Sequence, residues 1–149
     1  MPALVPALDN LTLTITEETL VRASIEKTFA SLLEQLGPAN EGMNNMPMPM
    51  TLEARPGGRW FRDLGGDNGH FWGVVQAIKR PTLLEIAGPL FMSAPVVSNV
   101  QYRLKDVPDG TLITLNHSAF GPMPEPYREG TALGWKMLFE RVKKHAEGK

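Results

Sequence analysis

From residue 51 to residue 120 the chain is never far from a turn signal, and this spacing constrains its fold more than any other feature. The segments "MTLEA", "RPGGRW", "GHFWGVVQAI", "TLLEIAG", "VVSNVQYRL" and "TLITLNHSAF" follow one another at short intervals. They are joined by "RPGG", "LGGDNG", "KRPT" and "DVPDG". Glycine supplies positive φ, proline presets φ, and Asn and Asp tolerate the left-handed region, so each connector is hairpin chemistry. Short connectors of this kind join antiparallel strands, because a parallel pair needs a long crossover. The spacing predicts five or more antiparallel strands.

Different periodicities flank this block. "LTLTIT" (11–16) alternates Leu11, Leu13 and Ile15 with threonines, the pattern of a half-buried strand, and "ETLVRA" extends it or pairs with it. Ser24 then caps a helix with apolar Ile25, Phe29, Leu32, Leu33 and Leu36, which Gly37 and Pro38 stop. Residues 125–147 carry a second, longer stripe of Tyr127, Thr131, Trp135, Leu138, Val142 and Ala146, flanked by Phe139. Acidic residues open this helix and "RVKKH" closes it, complementing its dipole. Strand, helix, several antiparallel strands and long helix make an α+β layer arrangement, with both helices on one face of the sheet.

Composition removes several functions. At 149 residues the chain fits one domain (1–149), with residues 1–10 as an N-terminal arm. A hydrophobic content of 42% and a charged content of 21% are globular values. The net charge of −1 offers no global field for nucleic acid or an anionic membrane. The absence of cysteine removes disulfides, thiolate metal sites and a thiol nucleophile. "MPALVPALDN" lacks a basic region and is broken by prolines, so a cytoplasmic protein with no secretory leader is expected. No apolar run reaches the roughly 20 residues that span a bilayer.

The stretch "EARPGGRWFRDLGGDNGHFWG" (53–73) raises phosphate binding as an alternative, with six glycines beside arginines and tryptophans. A phosphate loop needs G-x-x-x-x-G-K-[ST], and a dinucleotide loop needs G-x-G-x-x-G, before a helix. Neither is present, and a strand follows, so the glycines read as two hairpin turns. Residues 39–50, "ANEGMNNMPMPM", fit no regular element; their four methionines read as a loop over the core edge or as a flexible mouth. His70, His117 and His145 lack metal-ligand spacing, no cofactor motif occurs, and no G-x-S-x-G elbow is present.

Several motifs together resemble the START-like helix-grip (SRPBCC) superfamily, in the branch homologous to the heat-shock chaperone ATPase activator (AHSA-like). They are "RPGGRW" (55–60), "WGVVQAIKRPTLLEI" (72–86), "DGTLITLNHSAF" (109–120) and "GW" (134–135). The resemblance spans roughly residues 11–147. It implies a curved antiparallel sheet wrapped around the long C-terminal helix, with a ligand cavity between the two.

Asn99, Gln101 and Arg103 mark a solvent face, so Val96, Ser98, Val100, Tyr102 and Leu104 face the helix; the resemblance turns Ile113, Leu115 and His117 inward as well. The implied cavity is lined by Tyr102, His117, Phe120, Trp135 and Phe139, with Trp60 and Trp72 as further candidates on the strands joined by "LGGDNG". The same side chains could instead fill a solid core, and a lone inward imidazole is more often a bonded core histidine than a catalyst. The expected activity is binding of a small apolar or aromatic ligand. The alternatives are a polyketide cyclase or hydratase-like enzyme using His117 or Tyr102, and a chaperone-associated interaction domain. Expected macromolecular partners are a second copy or a chaperone, with neither nucleic acid nor membrane.

Overall fold

The computed structural model describes residues 8–148. Its strands are β1 (Thr12–Val21), β2 (Thr51–Leu52), β3 (Arg59–Gly65), β4 (Asn68–Lys79), β5 (Leu83–Gly88), β6 (Val97–Val107) and β7 (Gly110–Phe120). Its helices are α1 (Ile25–Leu36) and α2 (Glu125–Ala146). The strands form one antiparallel sheet in the order β1-β7-β6-β5-β4-β3-β2. Five successive hairpins build it from β2 to β7, and β1, made first, pairs along the far side of β7. "ETLVRA" extends β1 rather than pairing with it. Of the expected arm, residues 1–7 lie outside the described residues, and Leu8–Leu11 forms a 3-10 turn rather than a free segment.

Local chemistry sets the boundaries. Ser24 Oγ accepts from Lys27 N at 3.2 Å and so caps α1. Gly37 ends the helix, its N–H donating to Glu34 O. The β3–β4 hairpin turns through Gly66 (φ 59°) and Asp67 (φ 62°), both in the left-handed region that a two-residue type I′ loop requires. Arg59 of the glycine-rich stretch serves the scaffold. Arg59 forks onto Glu53 at 2.8 and 3.0 Å, and these bonds hold the Glu53 carboxyl down to about 2.

The sheet curves because β4 carries two bulges. Trp60 pairs with Gly73 and Phe61 with Phe71, leaving Trp72 as an extra residue. Val75 pairs with Ile86 and Ala77 with Glu85, leaving Gln76 as another. Each extra residue bends the strand and reverses its alternation. Simple alternation puts His70, Trp72 and Val74 on one face; instead Trp72 and Val75 are buried and Val74 is exposed. Both helices lie on the concave side. The core joins Phe29, Leu32 and Leu36 of α1 and Trp135, Leu138, Phe139 and Val142 of α2 to the inner rows of β4–β7. Trp60, fully enclosed, donates its Nε1–H to Leu36 O at 2.8 Å, satisfying a carbonyl that the helix end leaves free.

Two glycines test this packing in opposite directions. A Cβ on Gly58 would lie 1.8 Å from Glu53 O, so Gly58→Ala is expected to destabilise by about 2 kcal/mol or more. Gly134 is exposed on α2 with nothing within 4 Å of its Cβ position, so Gly134→Ala is expected to stabilise by about 0.5–1 kcal/mol. Urea denaturation of the two variants checks both signs.

Candidate functional site

The inner rows of β6 and β7 place Ser98, Val100, Tyr102, Leu115 and His117 beneath α2, all buried. Ser98 pairs with Ala119 and Val100 with His117, so Ser98 and His117 are diagonal neighbours on one face. The α2 stripe brings Trp135 and Phe139 down onto them. Trp135 Nε1 donates to His117 Nδ1 at 3.0 Å, and His117 Nε2 lies 2.9 Å from Ser98 Oγ. Tyr102 stacks edge-on against Trp135, with ring centroids 6.2 Å apart, and lies 6.5 Å from Phe139.

An indole nitrogen only donates, and this fixes the histidine. Nδ1 must present its lone pair to Trp135, so the neutral ring carries its proton on Nε2 and donates it to Ser98. Burial pushes the His117 pKa down to about 4, consistent with a neutral imidazole in an apolar site. Both ring nitrogens are engaged, which leaves no free lone pair for a general base. Burial also pushes the Tyr102 phenol up, so it stays protonated and acts as a donor. Its hydroxyl is the one buried side-chain polar atom among the described residues without a hydrogen-bond partner. Such a group costs about 1–3 kcal/mol until something bonds it.

A second, shallower group repeats the first. Trp72 Nε1 donates to His70 Nδ1 at 2.9 Å, and His70 Nε2 lies 3.3 Å from Ser93 Oγ. The same tautomer follows, so Nε2 carries the proton and cannot accept one from Ser93. The arrangement is therefore no serine nucleophile dyad. Trp72 packs edge-on against Trp60 (4.9 Å) and Phe91 (5.9 Å), and Phe91 meets Tyr127 of α2 at 5.8 Å.

Of the expected lining, Tyr102, His117, Trp135 and Phe139 come together, while Trp60 and Trp72 form the separate aromatic group just described. Phe120 does not belong. It lies 55% exposed on the outer face, opposite Val97, and Ala119 holds the inward position. It lies three positions beyond inward His117, and an odd step in a strand changes face. Ser98 was legible as an inward polar residue, and His70 with Trp72 as an i, i+2 pair; Ser93, on the loop after β5, gave no signal. Two surface depressions have volumes of about 480 and 310 Å³. The first lies over Leu83, Arg103 and Leu112, the second over Leu133, Met137 and Arg141, and neither is lined by Tyr102, His117, Trp135 or Phe139. No group of three or more His, Asp or Glu among the described residues is placed to hold a metal ion. No described helix is long and apolar enough to cross a membrane.

The family model described as activator of Hsp90 ATPase homolog 1-like protein matches residues 22–147. The chain belongs to this family. No curated protein matches it. Solved structures similar to this activator-like chain include a protein from Mesorhizobium loti, 19% identical with a TM-score of 0.70 over 91% of this chain and 98% of the other. A protein from Chromobacterium violaceum is 14% identical with a TM-score of 0.71, over 90% and 96%. The di-domain aromatase/cyclase of the steffimycin biosynthetic pathway is 8% identical with a TM-score of 0.67, covering 95% of this chain and 53% of its own. At these identities the likeness is one of fold, the helix-grip arrangement of the activator-like family.

The buried imidazole has a pH signature. Its folded pKa of about 4 lies below the ordinary 6.5, so the unfolded chain binds the proton more readily. Its contribution is complete above about pH 6.5 and is lost as pH falls toward 4, amounting to about 3 kcal/mol. Denaturation of wild type and His117→Gln across this range should give a stability difference that shrinks toward acid. A difference independent of pH would contradict a neutral, buried His117.

Proposed function

We propose that this activator-like domain binds a small, largely apolar molecule bearing one hydrogen-bond acceptor, held between α2 and the inner rows of β6 and β7. The observation that carries this reading is the Tyr102 hydroxyl: buried, protonated and without a partner, beside the aromatic faces of Trp135 and Phe139. Sites for small molecules combine apolar walls with a few placed polar groups, and an orphan donor supplies the group that orients the ligand. In this reading Trp135, Phe139 and Tyr102 provide apolar contact and the Tyr102 O–H donates to a ligand carbonyl or hydroxyl. His117 and Ser98 hold Trp135 in place. Entry requires α2 to shift outward, since the side chains are packed in the ligand-free chain.

The helix-grip fold shared with an aromatase/cyclase supports a ligand-holding interior without assigning a reaction. The locked His117 and protonated Tyr102 leave binding better supported than acid–base catalysis.

Tyr102→Phe separates the roles. In the ligand-free protein it removes an unsatisfied hydroxyl and is expected to raise stability by about 1–2 kcal/mol. Thermal shift with hydroxylated or carbonyl-bearing aromatics, set against their unsubstituted parents, tests the ligand side. A ligand at 100 times its dissociation constant stabilises the wild type by about 2.7 kcal/mol. The preference for the polar member should disappear in Tyr102→Phe. If no member of the series shifts the wild type, the interior is a solid core and the reading fails.

A further inference from the structure

The methionine-rich segment belongs to neither the sheet nor the interior site. Residues 40–48 close on themselves: Met48 N donates to Asn40 O (2.9 Å), Asn40 Nδ2 to Met48 O (3.0 Å), and Gly42 N to Met46 O (2.8 Å). At the tip, Asn44 (φ 57°) and Asn45 (φ 58°) are both in the left-handed region, which asparagine tolerates better than most residues but still at some cost. This geometry sorts the methionines. Met50 is buried and Met48 packs on the core, while Met43 is 82% and Met46 64% exposed. Two methionines presented to water on a loop fixed by its own hydrogen bonds have no role in packing the fold. Methionine suits a surface that must adapt to a partner.

The outward face of α2 lies alongside. Leu133, Met137, Arg141 and Lys144 follow the i, i+4, i+8, i+11 spacing of one helix face, and Leu133 is 60% exposed. Between them and Asn45 runs a groove of about 310 Å³. Its wall carries Lys136, Arg141 and Lys144 against one carboxylate, Glu140. Lys136 reaches Glu17 only at 4.0 Å. Arg141 is half-buried and donates to the uncharged Gln35 Oε1 at 3.1 Å; Glu41 of the methionine loop acts on its charge from a distance, but no carboxylate among the described residues lies within ion-pair distance. A guanidinium drawn partly out of water with no carboxylate in contact is a ready partner for one.

We propose that this groove docks an acidic amphipathic segment of another protein. Its apolar side chains lie between the Met43–Met46 tip and Leu133, and one of its carboxylates pairs with Arg141. The twelve residues from Leu133 to Lys144 span about 16 Å, the length of three helical turns or of a short extended peptide. A concave groove with Glu140 in its wall fits a peptide better than the flat, anionic surface of a membrane. The site is separate from the interior one and stands whether or not that reading holds.

The test selects peptides from a displayed random library on the intact chain and measures their binding by fluorescence anisotropy. The expected peptides combine Asp or Glu with large apolar residues. They should lose about tenfold or more in affinity for Met43→Ser/Met46→Ser, and likewise for Arg141→Gln/Lys144→Gln. The exposed methionines can be changed without touching the core, so an intact thermal transition in Met43→Ser/Met46→Ser separates lost docking from lost folding. Tyr102→Phe should leave binding unchanged. No selected peptide, a basic consensus, or equal binding by wild type and variants overturns the proposal. So does binding to phosphatidylglycerol vesicles that depends on the same side chains while no peptide binds.

Discussion

One hydrogen bond joins the long helix to the inner face of β7: the indole N–H of Trp135 on the imidazole of His117. Because indole can only donate, this bond fixes the tautomer of the histidine, and the tautomer fixes the bond to Ser98. Three side chains from α2, β7 and β6 are thereby set in one register, in a region where apolar packing alone would tolerate sliding. Hydrophobic burial supplies the bulk of the attraction between helix and sheet, but it is non-directional. The donor–acceptor chain supplies direction. Burial beneath α2 keeps His117 neutral, which couples the seating of the helix to proton concentration.

All three tryptophans work in this way. Trp60 ties β3 to the last carbonyls of α1, Trp72 orients His70, and Trp135 orients His117. Each buries a large apolar body while its one polar atom is satisfied, the condition under which a tryptophan is tolerated in a core. Tyr102 breaks this pattern. It sits among equally well-packed neighbours with its hydroxyl unbonded, in a core whose other buried polar side chains are paired. An exception of that kind in an otherwise satisfied interior marks where function and stability make different demands.

The outer surface divides in a related manner. The convex face of the sheet carries polar contacts such as Asn99 with Glu85 and Thr16 with Asn116, with Val97 and Phe120 exposed side by side at one end. The methionine loop and the outer face of α2 leave apolar groups and cations facing water. The helix therefore has two working faces: one grips the sheet through Trp135 and Phe139, and the other presents Leu133, Met137 and Arg141. A shift of α2 that admitted a molecule to the interior would move the outer groove as well.

The sequence by itself determined the elements and the inward rows. Periodicity marked β1, α1, β6, β7 and α2 because a half-buried strand or helix must repeat its apolar residues at its own geometric period. Turn residues marked the hairpins because positive φ needs particular side chains. The same alternation, carried three positions beyond His117, puts Phe120 outside, because face and not residue type decides which aromatics share a lining. Tertiary structure decided what periodicity cannot carry. The bulges at Trp72 and Gln76 reverse the faces of β4, and no local signal announces an extra residue whose only definition is the strand it opposes. The pairing of Trp135 with His117, the bond from His70 to Ser93 and the isolation of the Tyr102 hydroxyl depend on residues far apart in the chain. Their contacts exist only once α2 has closed on the sheet.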